Sequence, residues 1–354
     1  VATTDYPVNS PLAVKRWSPE LMKEALKKTF ALQFMGKDSN SLIQIKTEVN
    51  KEAGDRITFG LRQQLTGAGV AGDNDLEGNE EALVTYSQNV TIDQLRHAVR
   101  SAGKMSEQRV PFSVRDEARD GLSDWWSERI DRWFFNQITG NTAQADTRFT
   151  GMQATTAPDS GHAVYPGAET AESSLSATTS NRFSLALIDK AVEKGKLAVN
   201  RLRPIRTDGG DYLVAFLHPY QVTSLRQSLS GSTQWSDIQK AAMQGGQISD
   251  NPIFTGALGL YNGVILHESV RVPLVVGATG GTLDVARAVL CGAQAACMAF
   301  GRGSGQNTFN WVEELFDFKN QLGVAAGCIG GLVKTRFNGS DFATVTMSSY
   351  EIAS

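Results

Sequence analysis

The longest regular pattern of apolar positions runs through residues 111–140. Ala118, Leu122, Trp126, Ile130, Phe134 and Ile138 recur every four residues, and Trp125 and Trp133 widen the stripe. That spacing predicts one amphipathic helix, with Leu122, Trp126, Ile130 and Phe134 as its core and Arg119, Asp120, Ser123, Glu128 and Arg132 on the opposite face. Ser113 is placed to cap its start, Asp116 and Glu117 put negative charge at its positive end, and Gly140 supplies the stop. At 1.5 Å per residue the helix spans roughly 40 Å, about the width of a domain. A helix of this kind also serves as the core of an ordinary α/β protein. A shorter helical pattern lies upstream. Ser18 is its N-cap, Pro19 holds the first helical position, and Trp17 staples onto Met22. Met22, Leu26, Phe30 and Phe34 line one face, and Gly36 ends it. Residues 1–16 are polar and without period, and read as an extended arm.

Between residues 56 and 100 alternation replaces the helical period. Residues 57–65 and 83–95 read as the two strands of a hairpin. The segment between them is rich in Gly and acid, too long for a tight turn and too polar to bury. Two long strands without a covering helix are barely stable alone, so this hairpin calls for a partner surface, such as a second copy of the chain. Residues 141–181 are small and polar and read as long loops with a short strand at most. Leu185, Ile188 and Val192 mark a helix to about residue 199. Residues 212–217 are wholly apolar, the sign of a strand buried on both faces. Pro219 starts a helix through Leu225, and residues 235–243 suggest another. Asn262-Gly263 is a hairpin turn, with residues 264–273 as its second strand. Residues 286–300 read as a buried strand or short helix, and residues 309–318 and 342–347 as strands. Helices and strands mix without a βαβ repeat, so the class is α+β.

The 354-residue length suggests two or three domains. Hydrophobic residues are 41% and charged residues 20%, enough apolar material for a sizeable core. A net charge of −3 lacks the basic footprint of a nucleic-acid-binding protein. Cys291, Cys297 and Cys328 are odd in number, sit among Ala and Gly, and match no zinc spacing, so they read as buried free thiols in a reducing compartment. No signal-peptide pattern opens the sequence. The most apolar window, residues 283–300, contains Asp284, Arg287 and Gln294, which argues against a membrane span.

Gly67, Gly69 and Gly72 match the glycine spacing of a dinucleotide loop and follow a strand. Such a site needs a helix next, whose N-terminus holds phosphate. Asp73, Asn74 and Asp75 follow instead and would repel it. Asp73, Asp75, Glu77 and Gly78 open like a calcium loop, but Val84 stands where the bidentate Glu belongs. The favoured reading is a solvated acidic tip that docks on a basic surface. His97, His162, His218 and His267 are scattered and form no metal pair, and neither a phosphate loop nor a nucleophile elbow is present. No catalytic residue, cofactor or metal is assigned, and the chain is not read as an enzyme. Arg96, Arg100, Lys104, Arg109, Arg115 and Arg119 form a basic cluster. It reads either as a solvated face with local ion pairs or as a dock for a neighbour's acidic tip.

Residues 54–118, GDRITFGLRQQLTGAGVAGDNDLEGNEEALVTYSQNVTIDQLRHAVRSAGKMSEQRVPFSVRDEA, resemble the major capsid proteins of tailed bacteriophages of the coliphage N-four type. So do the opening ATTDYPVNSPLAVKRWS, the stretch GNTAQADTRFTGM and the ending VKTRFNGSDFATVTMSSY. The resemblance spans nearly the whole chain in the expected order. It implies the HK97-like capsid fold. Residues 1–53 would be the N-terminal arm and 54–101 the E-loop hairpin. Residues 102–182 would be the peripheral domain, with its spine helix at 111–140. Residues 183–300 would be the axial domain, and 301–354 would return to complete the peripheral domain.

The implied function is a major capsid protein whose copies assemble, as hexamers and pentamers, into the icosahedral shell around double-stranded DNA. The further partners expected are a portal and scaffolding or decoration proteins, with DNA held without sequence readout and no membrane. The place is the virion, assembled in the host bacterial cytoplasm. Two groups are expected at contacts between copies: Gly67, Gly69, Gly72, Asp73, Asp75 and Glu77 at the hairpin tip, and Tyr6, Trp17, Arg96, Arg100 and Arg109 on the arm and basic cluster. The resemblance gives the acidic tip no role, so its assignment rests on charge and polarity. The alternatives are an encapsulin-like compartment, a nucleotide-dependent enzyme built on Gly67 to Gly72, and a tail or decoration protein.

Overall fold

The computed structural model describes residues 29–47, 54–62, 65, 67–110, 113–198, 200–207, 210–227, 257–277, 283–302, 304 and 309–351. The chain enters the body through a 3-10 turn, Phe30–Phe34, then two short strands, β1 (Met35–Gly36) and β2 (Ile43–Lys46), paired in parallel. The helix expected to run to Gly36 therefore ends differently. Its described part is a 3-10 turn, and Gly36 belongs to a strand. Of the expected arm, residues 1–28, which include Tyr6 and Trp17, and residues 48–53 lie outside the described residues.

Strands β3 (Arg56–Arg62) and β4 (Thr85–Thr91) form an antiparallel ribbon, Arg56 opposite Thr91 and Arg62 opposite Thr85. The second expected strand, 83–95, is broken at Ile92, whose N–H donates to the Asp55 carbonyl at 2.9 Å. Beyond it β5 (Asp93–Arg100) leaves the ribbon and joins the main sheet. The break lets the alternation restart, so that Val90 and Ile92 bury at the ribbon base while Leu95 packs in the main core.

A short helix, α1 (Lys104–Arg109), precedes α2 (Val114–Ile138), a helix of 25 residues. Ser113 Oγ accepts the Asp116 N–H at 3.3 Å, and Asp116 and Glu117 occupy the first turn. Gly140 has φ +62°, and a Cβ there would stand 2.6 Å from the Thr156 carbonyl oxygen. Both helix ends thus follow from residue chemistry. The buried face is wider than the apolar stripe. Arg119 and Ser123, expected in solvent, are buried, as is Asp131. The main sheet packs on one side of α2 and the loop after it folds back on another. There Trp133 Nε1 donates to the Arg148 carbonyl at 2.7 Å, and Asn136 Nδ2 to that of Phe149 at 2.9 Å.

Residues 141–181 are loops with 3-10 turns and one two-residue strand, β6 (Ala163–Val164). Helix α3 (Leu185–Leu197) buries Leu187, Ile188, Ala191 and Val192. Strands β7 (Ile205–Thr207) and β8 (Gly210–Leu217) lead to α4 (Pro219–Gln227). The helix expected at 235–243 lies outside the described residues. Strands β9 (Ala257–Tyr261) and β10 (Val264–Glu268) turn at Asn262 and Gly263, with φ +48° and +73°, the left-handed pair that a two-residue hairpin needs. After β11 (Leu274–Gly277) come β12 (Leu283–Cys291), β13 (Ala296–Phe300), β14 (Asn310–Phe316), β15 (Gln321–Lys334), β16 (Arg336–Phe337), β17 (Ser340–Asp341) and β18 (Thr344–Tyr350).

Among the described residues two large sheets result. The first has the order β1-β2-β13-β15-β14, with β5 also on β15. The second has the order β6-β18-β12-β8-β10-β9, with β11 on β12 and β7 on β8. Strand β8 lies between β10, parallel, and β12, antiparallel, which accounts for its unbroken apolar run. The expected single element at 286–300 is two strands in different sheets. The chain crosses between them at Gly292, where a Cβ would meet the Arg203 carbonyl oxygen at 2.5 Å. Strand β15 has no counterpart among the expected elements. Its four glycines dilute the alternation, yet they let β15 pack where side chains would collide: a Cβ on Gly331 would overlap the Thr91 carbonyl oxygen. The largest core joins α2 to the first sheet through Leu122, Trp126, Phe134, Ile43, Met298 and Leu332. A second lies beneath α3, around Ile188, Leu266, Leu290 and Met347. A small third core seats the ribbon base through Ile57, Phe59, Val90 and Ala299.

Candidate assembly surfaces

The ribbon buries one face and only at its base. Ile57, Phe59 and Val90 alternate inward from β3 and β4 onto the sheet, as a period of two requires. Beyond Arg62 the tip is open. Gly67, Gly69, Gly72, Asp73, Asp75 and Glu77 are all exposed, together with Leu65, Leu76, Leu83 and Val84. The tip is shaped by its own side chains. Glu81 Oε2 accepts the Gly67 N–H at 2.7 Å, Glu80 Oε2 accepts that of Gly78 at 2.8 Å, and Gly69, Gly72 and Gly78 take positive φ. No helix follows the glycines, so the geometry of a dinucleotide loop is missing. Among the described residues no three His, Cys, Asp or Glu side chains gather closely enough to hold a metal ion.

The 3-10 turn at Phe30–Phe34 is held by a residue that the hydrophobic pattern does not mark. Asp131, fully buried on α2, accepts the N–H groups of Phe30 and Ala31 at 3.1 and 2.9 Å, and Arg271 Nη1 stands 3.4 Å away. Burial pushes its carboxyl above the usual range, partly offset by those hydrogen bonds. The signal was present in the sequence: Asp131 lies one turn after Ser127 and three residues before Phe134, on the side of the helix that the stripe buries.

The basic cluster does not form one patch. Arg115 Nε donates to both Glu313 carboxylate oxygens at 2.9 and 3.0 Å, which raises the pKa of the guanidinium and lowers that of the acid. Arg100 bonds Gln321 and lies over the Phe316 ring at 4.3 Å. Arg119 is buried, 3.6 Å from Asp120. Arg96, Lys104 and Arg109 are exposed. Beside them the β14–β15 hairpin projects. Asp317, Phe318 and Lys319 all have left-handed φ (+49°, +50°, +68°), Phe318 is fully exposed, and Asn320 braces the tip against Asp317 and the Lys104 N–H. Residues 309–318 read as strand in the sequence, so this aromatic tip was missed too.

The buried thiols and imidazoles are held as follows. All three cysteines are free and buried. Burial pushes Cys297 to about 11 and Cys328 to about 12, so both stay as inert thiols. His218 is lowered by burial and its Nδ1 accepts the Tyr220 N–H at 3.2 Å. His267 is enclosed by the rings of Phe30, Phe34 and Phe216. Among the described residues no helix is long and apolar enough to cross a membrane.

A sequence model of the phage capsid protein family matches residues 5–352. The chain is 28% identical to the major capsid protein of Pseudomonas phage KPP25, over 94% of its own length and 93% of that protein. Among solved structures it is similar to the capsid of Ralstonia phage GP4, with 34% identity, a TM-score of 0.81 and 99% of each chain covered. It is similar in fold to the capsid asymmetric unit of cyanophage Pam1, with 19% identity, a TM-score of 0.72, and 99% of this chain and 100% of that one covered.

Proposed function

Because this chain belongs to the phage capsid protein family and is a tailed-phage major capsid protein of the HK97-like fold, we propose that its ribbon tip and arm lock neighbouring copies into the icosahedral shell. In this reading residues 54–101 are the E-loop and 102–182, with α2 as spine, the peripheral domain. Residues 183–300 are the axial domain around the symmetry axes, and 301–354 return to the peripheral domain. The observation that carries it is the ribbon itself. Its base is seated in a core, while its tip holds acidic side chains and exposed Leu76 and Leu83 that nothing among the described residues covers.

Hexamers and pentamers of the chain repeat such contacts until symmetry closes them. Each contact is weak, and linkage through several neighbours raises the effective concentration of every one. The exposed Arg96 and Arg109, with Lys104, form the surface where a neighbour's acidic tip docks. The role is structural and requires no chemical step. A portal closes one vertex, scaffolding or decoration proteins assist, and assembly takes place in the host cytoplasm. Electron microscopy of the purified protein tests this. Closed shells are the expected result, and a chain that stays monomeric at high concentration in every buffer overturns it.

A further inference from the structure

Away from the ribbon and the arm, three segments meet between the two sheets: the turn at 37–42, the strap at 200–206 and the crossing turn at 292–295. Their backbones are fastened together. Asn40 Nδ2 donates to the Arg206 carbonyl at 2.7 Å, and Asn40 Oδ1 accepts the Arg206 N–H at 2.8 Å. The Ala293 N–H donates to the Arg203 carbonyl at 2.7 Å, and that of Gln294 to the Ser41 carbonyl at 2.8 Å. Pro204 fixes φ in the middle of the strap. Gln294 is held at φ +61°, with its amide donating to Gln44 Oε1 at 2.9 Å and accepting from Arg203 Nη1 at 3.3 Å. Strain of this kind in a non-glycine residue persists only where the surroundings over-determine it.

From this frame Arg203 and Arg206 project around a cavity of about 330 Å³, lined by Ser39, Asn40, Arg203, Pro204 and Arg206. Among the described residues no acidic side chain lines it. Arg203 meets a neutral amide oxygen. Arg206, its side chain 82% exposed, has Asp211 Oδ1 4.0 Å from Nε, a loose contact with an acid that is itself exposed. Asp38 lines the adjoining cavity, which Asn40 and Arg206 also border, and not this one. Two guanidinium groups with charge to spare, an amide and a hydroxyl make a donor set for tetrahedral oxyanions.

We propose that this junction is a phosphate-binding site for the backbone of the DNA enclosed by the shell, a reading that rests on the capsid role above. The donors are the types that contact phosphate and sugar without reading bases. The net charge of −3 gives the chain no general attraction for DNA, so phosphate binding depends on local donor sets such as this one. A neighbour's acidic tip fits less well. Its Glu80 and Glu81 are already engaged by backbone N–H groups, and its exposed Leu76 and Leu83 would find only Pro204 as an apolar wall.

The test uses the full-length soluble subunit and a fluorescein-labelled duplex of 20 base pairs, followed by anisotropy across a salt series. Each phosphate contact contributes about 0.9 to the slope of log K against log salt. The double variant Arg203→Gln/Arg206→Gln is expected to lower that slope by about 1.8 and to bind at least about tenfold more weakly at low salt. Arg201→Gln, outside the lining, is expected to leave both unchanged. Inorganic phosphate should compete with the duplex for the wild type and much less for the double variant. The frame is made by backbone and by Asn40, so the melting temperature and shells under the microscope should not change. If the double variant melts early, each single variant should lower the slope by about 0.9. Unaltered slope and affinity overturn the proposal. So does loss of shell assembly with DNA binding intact, which would give the junction to a neighbour's acidic tip. Failure of the wild type to form shells would sink the capsid role instead, and is read separately.

Discussion

The Asp131 carboxylate, buried in the C-terminal half of α2, accepts the Ala31 N–H at 2.9 Å across 100 residues of sequence. With the second bond, to the Phe30 N–H, it fixes the 3-10 turn at Phe30–Phe34 against α2. Asp131→Ala orphans two backbone donors and is expected to cost about 2–5 kcal/mol, whereas Asp131→Asn keeps one acceptor and should cost less. Chemical denaturation of the soluble subunit reads both, and equal midpoints for the two variants would contradict the anchoring role.

Gly331 sets the seat of the ribbon. A methyl group there would collide with the Thr91 carbonyl, which is backbone and cannot swing away. Gly331→Ala is expected to destabilise by at least about 1–3 kcal/mol. Proteolysis should then cut the ribbon before the body. Uniform resistance to protease would show that the seat tolerates the change.

Trp126 contacts Trp125, Trp133 and Phe309, with ring centroids 5.1, 6.4 and 5.0 Å away. Trp126→Ala leaves a large cavity between α2 and the first sheet and is expected to cost about 3–5 kcal/mol. A thermal melt checks it, and an unchanged midpoint would remove the helix from the core.

Glu351 ties the end of β18 to α4 and Phe183. Its oxygens accept from Ser349 Oγ at 2.9 Å, the Phe183 N–H at 3.2 Å, and Ser224 Oγ. Burial is the main influence and raises its pKa. A folded-state pKa above the unfolded one means a contribution to stability that is full at pH below the unfolded value. It is lost as pH rises through the folded value. Relative to Glu351→Gln, the wild type should therefore lose stability on going from about pH 4 towards neutral. A pH series of melts tests this, and a difference that is flat or of opposite sign would refute it.

Deleting residues 67–79 removes exposed tip and leaves the core at the ribbon base intact. The subunit should melt like the wild type and yet assemble poorly. Normal shells from this deletion would show that the tip is dispensable.

Local chemistry wrote some elements into the sequence unaided. Ser113, Asp116 and Glu117 start α2, Gly140 ends it, and a period of four carries its apolar stripe; the cap bond to the Asp116 N–H is the same chemistry seen in space. Asn262-Gly263 determined a hairpin because few residues accept two left-handed positions in a row. The run 212–217 was legible as a strand buried on both faces because no polar side chain interrupts it. The family was legible as well, because long segments carry more information than any short motif.

Tertiary structure decided what depends on partners distant in sequence. Strand β15 was invisible because its glycines serve close contact with other backbones, which leaves no periodic mark. The ribbon's second strand ends at Thr91, and after Ile92 the chain pairs as β5 with β15 instead of β3, a partner far away in sequence that alternation alone does not name. Residues 286–300 divide between two sheets because Gly292 can pass beneath the Arg203 carbonyl. Asp131 and the strap arginines carry charges whose meaning depends on what folds against them, and a linear pattern contains no distances.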